Sequence, residues 1–276
     1  TQLQDAIPIT YADTFSSYAP VFSRNRDRVS HALTYMNDLS LGGTAVGNGL
    51  NASDAYRSGV YKELNKNIDK NIRPAINFMA QTSSQTDFVA LSQSVVTLAL
   101  DASKIASDIR LLSSGPQGGF GEIQLTELQH GSSIMPGKVN PILPETVNQV
   151  YFLVSGNNTT IEACAHAAEM ELATMFPILA DRLIESLLLM SQVLGQFTNK
   201  CIATLVVDEK RAAETLEKTT AYATLLSPAL GYDTVAALVK EALYSGKTLR
   251  QLVRKKHLLS DEQYTKIVES HGKKRN

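Results

Sequence analysis

Between two strongly helical stretches lies a segment of different texture, residues 113–150, reading SSGPQGGFGEIQLTELQHGSSIMPGKVNPILPETVNQV. A loop this long inside a compact helical protein is usually functional or disordered. Ser132 and Ser133 offer hydroxyls, Lys138 a cation, and Asn140 an amide just ahead of an expected helix start. Gly131 and Gly137 permit unusual backbone angles and mobility. Helix N-termini and nearby amides favour bound anions. These residue types in this order suit a mobile loop that closes over a carboxylate or phosphate. A structural loop with ordinary serines accounts for the composition equally well.

Elsewhere the chemistry-bearing residues are dispersed. His31, His130, His166, His257 and His271 form no cluster with Asp or Glu at ligand spacing, so neither a metal site nor a cofactor is expected. His130 adjoins the loop and is read as solvent-facing or structural; His166, among alanines, is read as a satisfied buried histidine. Glu145 either partners a helix dipole or orients the loop. Leu41–Asn51 carries four glycines but follows a helix rather than a strand, which weakens a nucleotide-cradle reading. Thr82–Asp87, TSSQTD, reads as a helix start with Ser84 as cap.

The elements that must hold the loop are helical. Phe88, Leu91, Val95, Leu98, Ala102, Ile105, Ile109 and Leu112 alternate spacings of three and four, one apolar stripe on a long helix that Gly115-Pro116 ends. A second long helix is expected over Tyr11–Leu39, kinked or broken at Pro20, with Phe15, Tyr18, Phe22, Val29, Leu33 and Met36 inward. A third starts near Pro144 and buries Val147, Val150, Val154 and Ile161. A fourth covers Met175–Thr198, with Leu179, Leu183, Leu187, Met190, Leu194 and Phe197 inward. Only Ile123–Leu125 suggests a strand. The fold class is therefore all-α, a long-helix bundle over 1–207 carrying the loop, followed by a small C-terminal helical domain over 208–276 with Ser260 as a cap. A helix of ~30 residues is about 45 Å long. That is longer than a compact domain of this size is wide, so its length is expected to be buried against other subunits.

Composition narrows the partners. The 276 residues are 43% hydrophobic with a formal charge of −1, which removes the electrostatic case for nucleic acid or an anionic membrane. No apolar run is expected to reach the ~18 residues of a membrane span. Cys164 and Cys201 sit in helical patterns, fitting buried reduced thiols and a cytoplasmic location.

Gly131–Pro141, GSSIMPGKVNP, resembles the GSSxMPxKxN signature of the fumarase/aspartase superfamily. Thr1–Ala6 (TQLQDA) is similar to that family's TxxQDA segment, and Ser114–Gln129 and Leu226–Asp233 (LSPALGYD) also look like it, so the resemblance runs the length of the chain in order. It implies a lyase, a helical homotetramer and a small dicarboxylate or amino-acid substrate. It makes Ser132 the general base and gives Ser133, Lys138, Asn140, Thr1 and Gln2 substrate-binding roles. Gln2 where fumarases generally carry His, with Pro144–Val150 (PETVNQV) and Asn157–Thr160 (NNTT), resembles the aspartase branch more than the fumarase branch.

Two departures accompany the resemblance. Glu169–Ala173 (EMELA) stands where relatives read something like QLQLN, so Ala173 replaces a common Asn. Family members also carry an N-terminal domain ahead of TxxQDA, which supplies a further Ser/Thr/Asn-rich site segment. Each family site is assembled from three subunits. The chain from Thr1 is thus expected to be a C-terminal part with two of three site segments and little activity alone.

Overall fold

The computed structural model describes residues 2–68, 70–129, 131 and 134–272. Among the described residues are eleven α-helices, one turn of π-helix and four two-residue strands, so the fold is all-α. The chain forms two compact units. The larger comprises residues 19–111 and 125–205; the smaller gathers the segment up to Tyr18, residues 112–124 and the chain from Val206 on.

The larger unit is built on α1 (Tyr11–Tyr35, from Ala19), α4 (Thr86–Leu112), α5 (Ile142–His166) and α6 (Phe176–Phe197). Helix α1 continues through Pro20 without a break. Its fully buried positions are Asn25 and Ala32, while Val29 and Met36 pack only partly and Leu33 is 41% exposed rather than inward. Asn25 is buried because its amide is satisfied: Nδ2 donates to Asp101 Oδ2 of α4 at 2.7 Å, and Oδ1 accepts from Arg28 Nη1 at 2.8 Å. A reading by apolar spacing alone passes over such a position.

Helix α4 buries Leu91, Val95, Ala102, Ile105 and Ile109 as the stripe requires, and adds Ser92, Ser94, Ala99, Ser103 and Ala106. These small side chains bury a second face of the helix. Wide burial makes α4 apolar enough overall that, by length and hydropathy, it alone among the described residues matches a membrane span, where the sequence predicts none. Ser84 does not cap α4: it closes α3 (Phe78–Ser83) through its N–H on Ala80 O, and its hydroxyl pairs with Thr86 Oγ1.

Helix α5 starts at Ile142, two residues before Pro144, which is tolerated there because first-turn N–H groups have no intrahelical partner. It buries Val147, Val150, Val154 and Ile161 as expected. On α6 the buried set is Leu179, Leu183, Ser186, Met190, Val193 and Phe197, so Ser186 and Val193 replace the expected Leu187 and Leu194. The spacings 4, 3, 4, 3, 4 follow a strict heptad seam, of the kind helices packed lengthwise keep. Asn157 fixes the α5–α6 register: Nδ2 donates to Ser186 Oγ at 3.1 Å and to Glu185 Oε2 at 2.9 Å. His166 lies exposed in the last turn of α5, not buried among its alanines.

Helix α2 (Asp54–Asn67), which no apolar stripe announces, buries only Tyr61 and is started by the Ser53 side chain accepting from Tyr56 N–H. Leu41–Asn51 is irregular, as its glycines require. Before it, β1 (Asp38–Leu39) pairs in parallel with β2 (Arg73–Pro74).

The smaller unit packs α7 (Glu209–Lys218), α8 (Ala223–Leu230), α9 (Tyr232–Ser245), α10 (Leu249–Lys255) and α11 (Asp261–Gly272). Leu226, Leu238, Leu249, Leu252, Val253 and Tyr264 form its core. Ser260 caps α11 as expected: its hydroxyl accepts from Gln263 N–H at 3.2 Å and its N–H donates to Gln263 Oε1 at 2.9 Å. The strand expected at Ile123 is β3 (Ile123–Gln124), antiparallel to β4 (Val206–Val207).

Both cysteines are free thiols. Burial pushes the Cys201 thiol up to about 11. The folded state then binds more protons than the unfolded chain between the ordinary thiol value and about 11, so stability present at neutral pH falls across that window. Urea unfolding at rising alkaline pH is expected to show a smaller loss for Cys201→Ala than for the parent chain. Replacing a buried amide with several partners should cost about 2 kcal/mol. Asn148→Ala, which removes hydrogen bonds to Ser103, Ser107 and Arg110, is expected to lower urea-unfolding stability by that amount while helical circular dichroism is retained.

Candidate functional site

The stretch that the sequence marks as one loop is divided by the fold. Residues up to Gln124 belong to the smaller unit and those from Leu125 to the larger. In the first part, Ser114 Oγ accepts from Phe120 N–H at 3.2 Å. Arg211 of α7 donates to Gly119 O and Phe120 O at 3.2 and 3.1 Å. Tyr11 OH donates to Glu122 Oε2 at 2.6 Å, and burial together with that carboxylate pushes its hydroxyl well above the ordinary phenol range. These glycine-rich residues are tied down by structural bonds.

The second part returns on itself. Gly131 N–H donates to Glu127 Oε1 at 3.3 Å. A Cβ on Gly131 would lie 2.0 Å from the Lys138 carbonyl oxygen, so the two ends of the loop meet backbone to backbone and only glycine fits. Lys138 N–H donates to Met135 O at 3.3 Å, and Gly137 sits at φ 77°, the left-handed region a turn there requires. Asn140 O then accepts from Ile142 N–H at 2.9 Å as α5 begins. Lys138 is exposed and Asn140 half-buried. Ile134, at 82% exposure, and the exposed Met135 and Val139 give the loop an uncovered apolar rim. Pro141 supplies no side-chain cap, so the positive end of the α5 dipole is directed toward the Asn140 side of the loop.

A buried polar network anchors the start of α5. Asn148 Nδ2 donates to Ser103 O, Ser103 Oγ and Ser107 Oγ at 2.9, 2.8 and 3.1 Å, and its Oδ1 accepts from Arg110 Nη1 at 2.9 Å. Arg110 Nη2 also lies 3.9 Å from Glu145 Oε1. Glu145 thus sits in the first turn of α5 with a guanidinium beside it. The signal for these residues was a polar side chain at a heptad position, which spacing rules treat as a gap.

The structure brings Lys138 and Asn140 onto one loop within the larger unit. Gln2, exposed at φ 52°, belongs to the smaller unit. Thr1, Ser132 and Ser133 lie outside the described residues, as does His130. Among the described residues no group of three or more His, Cys, Asp or Glu is placed to hold a metal ion.

Known proteins share this sequence and architecture. Residues 1–156 match the family described as Lyase, and residues 223–271 match Fumarase C C-terminus. An aspartate ammonia-lyase of Bacillus sp is 39% identical over 97% of this chain and 57% of its own length. A class II fumarate hydratase of Mycobacterium tuberculosis is 39% identical over 95% of this chain and 55% of its own length. The cobalt-bound crystal structure of fumarate lyase:delta crystallin from Brucella melitensis superimposes with a TM-score of 0.91 at 35% identity, covering 98% of this chain and 58% of that one. The chain therefore spans a little over half the length of the relatives it matches.

The 2.0 Å clearance at Gly131 makes a direct test. Gly131→Ala is expected to shift the backbone amide resonances of residues 134–140 and to lower urea-unfolding stability by about 1–3 kcal/mol, the cost of straining a backbone with no room for a Cβ. Unchanged resonances would show that the ends of the loop do not meet as described.

Proposed function

We propose, since this chain belongs to the lyase family that includes the fumarases and aspartases, that it carries the catalytic loop of an enzyme eliminating ammonia from L-aspartate to give fumarate, reversibly. The observation that carries this reading is the loop of Gly131–Asn140, closed backbone to backbone and leading Lys138 and Asn140 to the start of α5. Gln2, in place of the histidine general among fumarases, favours an amine over a hydroxyl as the departing group.

The chemistry asks for what this loop offers. The proton beside a carboxylate is weakly acidic, and its removal leaves an aci-carboxylate with two negative charges. A positioned cation and amide donors that meet that charge lower the barrier. Lys138 supplies the cation, and Asn140 an amide near the positive end of α5. Ser132 is the base, with Ser133, Thr1 and Gln2 holding substrate. A serine alkoxide needs a closed, dry site surrounded by positive charge. The exposed Ile134, Met135 and Val139 suit a loop that buries apolar surface when it closes. The amine then leaves from the neighbouring carbon.

A second reading, hydration of fumarate to malate, is favoured by the equal 39% identity to the mycobacterial fumarate hydratase. A third, a diverged helical oligomer without turnover, draws on Ala173. Self-association is proposed on the exposed Phe152, Leu153, Ile184 and Leu188 of α5 and α6, which suit helix faces buried against other copies in a homotetramer. The unpaired thiols fit a cytoplasmic setting. The bundle domain over 1–207 is assigned the chemistry and the domain over 208–276 a supporting role.

Fumarate release from aspartate and from malate, followed by ultraviolet absorbance, tests the substrate. The full-length enzyme is expected to act on aspartate, and Ser132→Ala to lower kcat about a thousandfold, within the range of a lost general base. Full turnover in Ser132→Ala would remove it from the base role, and preference for malate would favour the second reading. Residues 1–276 alone are expected to turn over far more slowly than the full-length enzyme.

A further inference from the structure

We propose that the larger unit carries a second small-molecule site, lined by no residue of the Gly131–Asn140 loop, that takes an organic ammonium ion with an apolar body. The inference is independent of the lyase reading. A cavity of about 640 Å³ lies among the end of α1, residues 38–44, the end of α3, the start of α4 and residues 172–176. Its volume falls within the range of small-molecule pockets. Phe88 and Phe176 meet edge to face in its wall, with ring centroids 5.2 Å apart, and aromatic walls suit a cation with an apolar body.

The polar groups in the wall select the sign of the ligand. Asp38 and Asp87 line the cavity, and among the described residues no Lys, Arg or His does. Asp38 is already paired with Arg73. Asp87 accepts only a neutral amide at 3.3 Å, from Gln81 Nε2, and no ion pair to it is formed among the described residues. It sits in the first turn of α4, so its charge already answers the dipole of that helix, and a second anion would meet repulsion.

The second, independent observation is Gln85. This wall residue is 6% exposed, and its Oε1 has no hydrogen-bond partner. A buried amide oxygen without a donor is costly, and the terminal torsion of a glutamine is soft enough to turn it toward one. Gln85 Nε2 and Ala173 N–H both donate to Thr82 O, at 3.4 and 3.3 Å, so the unsatisfied amide and the small Ala173 side chain share one end of the cavity. An ammonium group brings several donors to Gln85 Oε1 and the Asp87 carboxylate, while its apolar body lies along Phe88, Leu172 and Phe176.

Titration calorimetry and amide-shift mapping with phenethylamine, against phenethyl alcohol and phenylacetate as neutral and anionic controls, test the site. Phenethylamine is expected to bind and to shift the resonances of residues 81–88 and 172–176, the alcohol to bind more weakly, and phenylacetate not at all. Loss of a charge-assisted hydrogen bond corresponds to about a tenfold loss of affinity. Asp87→Asn is expected to show it with helical circular dichroism retained, and Ala173→Leu, which crowds the end of the cavity beside Gln85, to weaken binding. Absence of phenethylamine binding, equal binding of phenylacetate, or undiminished affinity in Asp87→Asn would overturn the proposal.

Discussion

Three buried asparagine amides hold the helices of the larger unit in register. Asn25 ties α1 to Asp101 of α4, Asn148 ties α5 to Ser103 and Ser107 of α4, and Asn157 ties α5 to Ser186 of α6. Apolar contact between long helices is nearly indifferent to a slide of one turn, because leucine against valine is worth about the same in either setting. A buried amide is not indifferent. Slid out of register it loses its partners and retains the full cost of its desolvation. These bonds convert an approximate stacking of cylinders into one arrangement.

The start of α5 inherits this constraint. Asn148 lies a turn and a half into α5 from its first residue, and its acceptor oxygen receives Arg110, whose other nitrogen faces Glu145. The carboxylate near the positive end of the helix is thereby held beside a guanidinium on α4. The chain immediately before, Lys138 to Pro141, is carried by that fixed end. The loop meets itself where Gly131 approaches Lys138 O, and it joins the scaffold at the Asn140–Ile142 turn into α5. So rigid a base sets Lys138 and Asn140 in a fixed relation to the start of α5.

The same bundle leaves much apolar surface uncovered. Phe152 and Leu153 on α5 are 65% and 56% exposed, next to positions that are fully buried. A helix with apolar residues on both its inner and outer faces has the composition of one buried all round. The small unit contrasts with this. Its core closes around Leu226, Leu252 and Tyr264, and the Arg250 guanidinium stacks 4.5 Å above the Tyr264 ring. The unit also gathers residues 112–124, which lie far from α7–α11 in sequence, by the antiparallel β3–β4 pairing and the Arg211 bonds to the 119–120 backbone.

The sequence by itself determined the four long helices, the cap at Ser260, the break at Gly115-Pro116, and the motif that marks the loop. Each of these rests on local chemistry: side-chain periodicity, a hydroxyl three residues from an amide, a ring without an N–H. Tertiary structure decided which of two equally spaced rows faces inward. On α6 the seam passes through Ser186 and Val193 rather than Leu187 and Leu194, and on α1 through Asn25 rather than Leu33. It also decided that Gly131 must be glycine, since the oxygen it avoids belongs to Lys138, seven residues on. Spacing records hydrophobicity along one chain, whereas a buried polar group or a backbone clearance is defined by a partner that only folding brings near.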